Sequence, residues 1–344
     1  MAEKFQALRI VFMGTPEFAV ASLDALVKAG CNIVGVVTAP DKPAGRGMRM
    51  TESAVKKYAV EHHLKVLQPE KLKNPGFIEE LRLLKANLQV VVAFRMLPES
   101  VWNMPPMGTI NVHGSLLPQY RGAAPINRAV INGEKETGVT TFQLKHEIDT
   151  GNILLQESFP IGEDETAGEV HDKMKKIGAD LLLKTVKGLA DGSLYEQPQS
   201  EIAQHKTLHH APKIFTETCR IDFSKTVEEV HNLIRGLSPF PCAFTELNGK
   251  MLKVYRSKKE LSRDAASDLN PKSKLNPENK FVQAGHTVPT SGYKTEGKTY
   301  LKFACSNGYI HVLELQLEGK KRMMVDEFLR GYRFGSERSE RPEP

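Results

Sequence analysis

The chain has 344 residues, 40% hydrophobic and 26% charged, which is more than one ordinary domain needs and excludes wholesale disorder. No apolar run approaches the ~20 residues of a membrane span, and the segment Leu8–Met13, behind acidic Glu3, is too short for a signal-peptide core. The net charge of +6 is unevenly held: residues 1–205 carry 23 Lys and Arg against 24 Asp and Glu, whereas residues 206–344 carry 24 against 17.

The elements read in chain order as follows. Leu8–Met13 is an apolar strand, and Thr15 is expected to cap a helix with Pro16 at its first position. Ala19, Leu23, Leu26 and Val27 recur at helical spacing up to Gly30. Ile33–Thr38 is a second strand, nearly all apolar, as strands buried on both faces are. That order predicts a right-handed parallel crossover. Asp41–Arg49, with two glycines, a proline and the cations Lys42, Arg46 and Arg49, reads as a long basic loop. A charged helix around 78–85 precedes the buried strand 88–93, and 108–113 and 138–144 are two further strands around a short helix at 125–130. Thr166 and Glu169 make a capping-box pattern ahead of a helix that runs out near Gly192. Polar residues 193–211, with His205, His209 and His210, read as a linker.

The texture then changes. Val227, Val230, Ile234 and Leu237 mark one helix, and short strands follow at 243–247, 251–255, 299–304 and 310–317, a small β-barrel composition. Residues 257–280 read as a polar loop or insertion. The four cysteines are far apart, with no Cys-x-x-Cys pair, which excludes a zinc knuckle and points to a reducing cytoplasm.

Three places can carry chemistry. In Asn111-Val112-His113 the two polar side chains share a strand face. They fall at the end of an apolar strand, where open α/β sheets carry ligand crevices. An amide beside an imidazole suits a carbonyl oxygen that gathers negative charge; the same spacing also suits a hydrogen-bonded pair closing a strand. Asp149, in Ile148-Asp149-Thr150-Gly151-Asn152, is either turn chemistry or a partner for a histidine or an amine. The turn Gly14-Thr15-Pro16 is not the G-x-G-x-x-G fingerprint, because Pro16 stands at the second glycine, so nicotinamide chemistry is disfavoured.

Six segments together carry a resemblance: 12–19 (Phe-x-Gly-Thr-Pro-Glu-Phe-Ala), 41–47 (Asp-x-Pro-Ala-Gly-Arg-Gly), 111–118 (Asn-Val-His-Gly-Ser-Leu-Leu-Pro), 120–125 (Tyr-Arg-Gly-Ala-Ala-Pro), 136–140 (Glu-Thr-Gly-Val-Thr) and 149–152 (Asp-Thr-Gly-Asn). In these the chain resembles the methionyl-tRNA formyltransferases, of the 10-formyltetrahydrofolate-dependent formyltransferase family, closely from Leu8 to about Tyr255 and more weakly over 315–333. The resemblance implies an α/β fold, with a Rossmann-like formyltransferase domain of mainly parallel sheet over 1–192. A linker at 193–211, a smaller OB-like β-barrel domain that holds tRNA over 212–335 and a frayed tail at 336–344 would complete the chain. It implies Asn111, His113 and Asp149 as catalytic residues, and Ser115, Leu116, Leu117 and Pro118 at the folate site. It also implies Lys42, Arg46 and Arg49 against tRNA. Residues 93–98 depart from the family's Ala-Tyr-Gly-x-x-Leu-Pro and are one residue shorter. The implied co-substrate is 10-formyltetrahydrofolate, with no metal, and the implied partner is initiator methionyl-tRNA. No membrane and no obligate protein partner are expected, and the protein is expected to be a cytoplasmic monomer. The rivals are a formyltransferase for another amine, such as an amino-sugar nucleotide or glycinamide ribonucleotide, and a non-catalytic RNA-binding protein on the same scaffold.

Overall fold

The computed structural model describes residues 4–44, 49–203, 207–262, 265 and 292–332. Arg46 and most of the stretch 257–280 lie outside the described residues. The elements begin with β1 (Arg9–Gly14), α1 (Glu17–Lys28), β2 (Asn32–Val37), β3 (Lys42–Ala44), β4 (Arg49–Thr51), α2 (Ala54–Glu61) and β5 (Val66–Leu67). Next come α3 (Pro75–Leu83), β6 (Leu88–Val92), α4 (Glu99–Trp102), β7 (Thr109–His113), β8 (Arg121–Gly122) and α5 (Pro125–Ile131). β9 (Glu136–Gln143), β10 (Ile153–Pro160), α6 (Ala167–Asp191), α7 (Gln199–Ile202) and β11 (His210–Ala211) follow. The last are α8 (Val227–Leu237), β12 (Ala243–Leu247), β13 (Lys250–Leu261), β14 (Tyr293–Thr295), β15 (Leu301–Cys305), β16 (Gly308–Leu317), β17 (Met323–Met324) and α9 (Val325–Gly331).

The chain divides into two compact units. The first comprises Met1–Ile126, Lys135–Ile161 and Glu169–Lys213. Its sheet has the order β5-β2-β1-β6-β7-β9-β10. The five strands from β5 to β7 are parallel, and β9 and β10 join antiparallel. β6 is buried along its whole length, Gln89 included, as a strand covered on both faces is. β2 lies on one side of β1 and β6 on the other, so the order reverses at β1, where crevices form beyond the carboxyl ends of α/β sheets. α1 starts one residue later than expected: Pro16 is its N-cap, no side chain caps it, and Glu17 opens the helix. The described flanks of the basic loop pair as short antiparallel strands, Lys42 opposite Thr51 and Ala44 opposite Arg49. At its base the Asp41 carboxylate accepts from Lys56 Nζ (2.5 Å) and Gln68 Nε2 (2.8 Å).

Residues 193–211, expected as a linker, carry structure within this unit. Gln197 bridges Ile153, α7 follows Pro198, and β11 pairs with β8. Their hold is backbone hydrogen bonding and one buried amide rather than an apolar stripe, which is why periodicity missed them.

The second unit comprises Asn127–Glu134, Gly162–Gly168 and the chain from Ile214 on. It is a curled antiparallel half-barrel, β12-β13-β16-β15-β14, with β17 on β16. A capping box between Thr226 and Glu229 opens α8, whose buried Val230, Ile234 and Leu237 join the same core as Leu252, Val254, Phe303 and Leu315. β13 runs to Leu261, so the polar stretch begins later than its composition implied. Irregular register between Val254 and Ser257 breaks the alternation that would have shown the strand.

Candidate active site

β7 ends on His113, beside β6 on one edge and β9 on the other, with Asn111 two residues before it on the same face. His113 is buried. Its Nε2 lies 2.9 Å from the Tyr120 carbonyl. A carbonyl only accepts, so Nε2 carries the hydrogen and the Tyr120 carbonyl orients the ring. The other nitrogen, Nδ1, faces Asp149 Oδ2 at 3.8 Å. That is beyond a hydrogen bond. No hydrogen bond engages the Asn111 side-chain amide among the described residues, so its donors are free for a ligand.

Asp149 reaches this place from a turn, at a backbone φ of +55°. Its Oδ2 accepts from the Gly122 N–H at 3.0 Å. Gly151 follows so close to β9 that a Cβ there would stand 1.6 Å from the Gln143 carbonyl oxygen. His113 and Asp149 thus come together, with Asn111 on the same strand face as His113, but the carboxylate does not orient the imidazole by a hydrogen bond. Tyr120 orients the imidazole, and Gly122 positions the carboxylate.

The segment Ser115–Pro118 is braced from below. Ser115 Oγ donates to Gln119 O (2.6 Å), and Thr140 Oγ1 donates to Ser115 O (2.7 Å) and accepts from Leu117 N (3.0 Å). Gln156 Nε2 donates to Leu117 O (2.9 Å). Leu117 packs with Phe142 and Ile153, and Leu116 lies against Gly138. These hydrogen bonds engage the carbonyls of Ser115 and Leu117 and the N–H of Leu117 in building the loop. Residues 93–98 are tied to their neighbours by Arg95, which donates to the carbonyls of Pro69 and Glu70. Sequence reading missed Gln156 and Gln199 altogether and gave Tyr120 and Thr140 only as members of two motifs, because what all four do arises from bonds through backbone atoms distant along the chain.

Lys42 is exposed on β3, and Arg49 opens β4. In the second unit the register aligns Lys258, His311, Lys302 and Lys294 in one row across β13, β16, β15 and β14. Directly opposed residues share a sheet face, so the row is one basic stripe. Glu260 bonds both Lys302 and His311, and Lys302 lies over the Tyr309 ring at 4.1 Å.

Residues 8–186 match the model of the formyl transferase family, and residues 213–333 match that of the formyl transferase C-terminal domain. The chain belongs to the formyl transferase family. Two formyltransferase relatives are similar throughout. The methionyl-tRNA formyltransferase of Bacteroides fragilis is 50% identical over 334 residues, 96% of each chain. That of Phocaeicola vulgatus is 53% identical over 333 residues, 95% of this chain and 96% of the relative. Among solved structures, WlaRD, a sugar 3N-formyl transferase, superposes with a TM-score of 0.62 at 20% identity, covering 91% of this chain and 99% of that one. That last likeness is one of fold. No helix among the described residues is long and apolar enough to cross a membrane.

Proposed function

We propose that the protein transfers a formyl group from 10-formyltetrahydrofolate to the α-amino group of methionine esterified to initiator tRNA. The activity that follows from the family and from the relatives is formyl transfer onto methionyl-tRNA. The first compact unit is read as the catalytic domain and the second as the tRNA-holding domain, in place of the continuous spans 1–192 and 212–335 expected from the sequence. The observation that carries the chemistry is the meeting of Asn111, His113 and Asp149 at the carboxyl end of β7, with Asp149 Oδ2 3.8 Å from His113 Nδ1.

The donor set fits a formyl donor: a free amide on Asn111 and one uncommitted imidazole nitrogen suit a small carbonyl. Bound 10-formyltetrahydrofolate supplies an activated formyl carbonyl. Asn111 donates its amide N–H to the carbonyl oxygen as that oxygen gains charge. His113 cannot do so through Nε2, which is held by Tyr120, so it acts through Nδ1. Asp149 takes the proton that the attacking amine must lose, and as the bond from the formyl carbon to the donor nitrogen breaks, tetrahydrofolate leaves with a proton taken up on that nitrogen. An α-amine has a reference pKa of ~7.7–8.0, so much of it is neutral near pH 7.5 and a carboxylate suffices as the acceptor. The basic row 258–311–302–294 and the basic loop with Lys42 and Arg49 suit RNA phosphates; Arg46 is assigned to the same role from the sequence.

The test is single-turnover transfer of labelled formyl to methionyl-tRNA, with free methionine and an amino-sugar nucleotide as competitors. Asn111→Ala is expected to lose turnover by roughly 10²–10³, the cost of one donor in a well-formed oxyanion site, and Asp149→Asn by roughly 10²–10⁴, the worth of a positioned proton acceptor, while tRNA binding persists. Preferred formylation of the amino sugar, or near-normal turnover in both variants, refutes the reading.

A further inference from the structure

We infer that Gln199 is a positioning residue for this reaction: through the backbone of Asp149 and Gly151 and the side chain of Arg121, its amide sets where the Asp149 carboxylate stands. The inference rests on the function proposed above.

Gln199 is 3% exposed. Its Nε2 donates to the carbonyls of Asp149 (2.9 Å) and Gly151 (2.8 Å). Its Oε1 accepts from Arg121 Nε (3.0 Å) and Nη2 (2.6 Å). A primary amide has two N–H donors and two acceptor lone pairs, and all four are engaged. The amide has one possible orientation, because turning it over would set N–H groups against a guanidinium and an oxygen against two carbonyls.

The place of these bonds matters more than their number. Asp149 sits at φ +55°, a conformation uncommon for a residue with a side chain, so its turn needs outside support. Gln199 grips that turn at the residue bearing the carboxylate and again two residues on. Its other end grips Arg121, the neighbour of Gly122, and Gly122 N–H is the donor that holds Asp149 Oδ2. One amide therefore fixes both sides of the contact that places the carboxylate near His113 Nδ1. Gln199 itself has no bond to His113 or Asn111 among the described residues, so it acts only through others.

Two variants separate the bonds. Gln199→Leu removes all four. Gln199→Glu, nearly isosteric, still accepts from Arg121 but cannot donate to the two carbonyls, and it keeps the test open where leucine fails to fold. Both are expected to lower the single-turnover rate by about 10–100-fold, the scale of an ångström-sized misplacement, with KM for methionyl-tRNA little changed. Added to Asp149→Asn, Gln199→Leu is expected to cost nothing more, since residues acting through one group are not additive. Multiplicative losses in that cycle, unchanged turnover in Gln199→Glu, or a lowered Tm with an unchanged rate overturns the inference. A near-normal Asp149→Asn rate, in contrast, strikes the proposed function itself.

Discussion

Gly151→Ala tests the site through space alone, because Gly151 is not in the left-handed region and alanine meets no dihedral objection. The new Cβ would stand 1.6 Å from the Gln143 carbonyl oxygen, 2.8 Å from its carbon and 3.1 Å from Phe142 Cδ2, where ordinary contact begins at 3.4 Å. The gap must open by nearly 2 Å (3.4 against 1.6). Gln143 cannot supply it. β9 is paired with β7 on one side and β10 on the other, and Gln143 N–H is bonded to Asn152 O at 2.9 Å. The turn must therefore yield, carrying Asp149 away from Gly122 and His113. A displacement of about 1 Å at a catalytic group is worth roughly 10²-fold in rate. Overpacking costs about 1–3 kcal/mol, and each kcal/mol lowers Tm by ~2–4 °C for a unit of this size. Thermal melts and single-turnover formyl transfer measure the two effects separately. A variant that melts lower but turns over at the unsubstituted rate refutes the claim that this turn places Asp149. One that matches the unsubstituted protein in both refutes the packing argument as well.

Further outcomes follow from other parts of the molecule. Removing an exposed cation of the row, as in Lys258→Gln, is expected to lower the slope of log affinity for tRNA against log salt by about 0.7–0.9, a counterion-release effect measured by filter binding; an unchanged slope removes Lys258 from the interface. Burial holds His231 below the ordinary imidazole range, against the nearby Asp164 carboxylate that favours its charged form. Its neutral ring is satisfied by Ser257 Oγ at 3.0 Å and Glu163 O at 3.3 Å. The unfolded chain protonates near pH 6.5 and the folded one only below it, so stability should fall as pH drops through that window, by about 1.4 kcal/mol for each full unit of separation. Denaturation midpoints between pH 7.5 and 5 test this, and an equally steep fall in His231→Gln contradicts it. Burial also pushes the thiols of Cys31 and Cys242 up to about 11 and that of Cys305 up to about 12. Aromatic disulfide reagents at pH 8 should label none of the three until denaturant is added, and rapid labelling of the native protein counts against the burial described here.

What the sequence made legible was whatever apolar burial writes into it. β1, β2 and β6 were readable because central parallel strands are covered on both faces, and α8 because one side of a helix must meet a sheet. Asn111 and His113 were readable as a pair because strand geometry puts every second residue on one face. The approach of Asp149 was not, since it depends on a positive-φ turn, on a glycine pressed against another strand's backbone and on a buried amide far along the chain. Nor does spacing say which imidazole nitrogen does what. Tyr120 reaches His113 from a loop whose own shape is set by Thr140 and Gln156, and by taking Nε2 it leaves Nδ1 alone to face the carboxylate. An imidazole with one nitrogen committed to a carbonyl can exchange a proton at one atom only. In the proposed reaction His113 is therefore left with Nδ1 alone to meet the formyl oxygen, a choice made by a backbone oxygen, a group carried at every position of every sequence and so invisible as a motif.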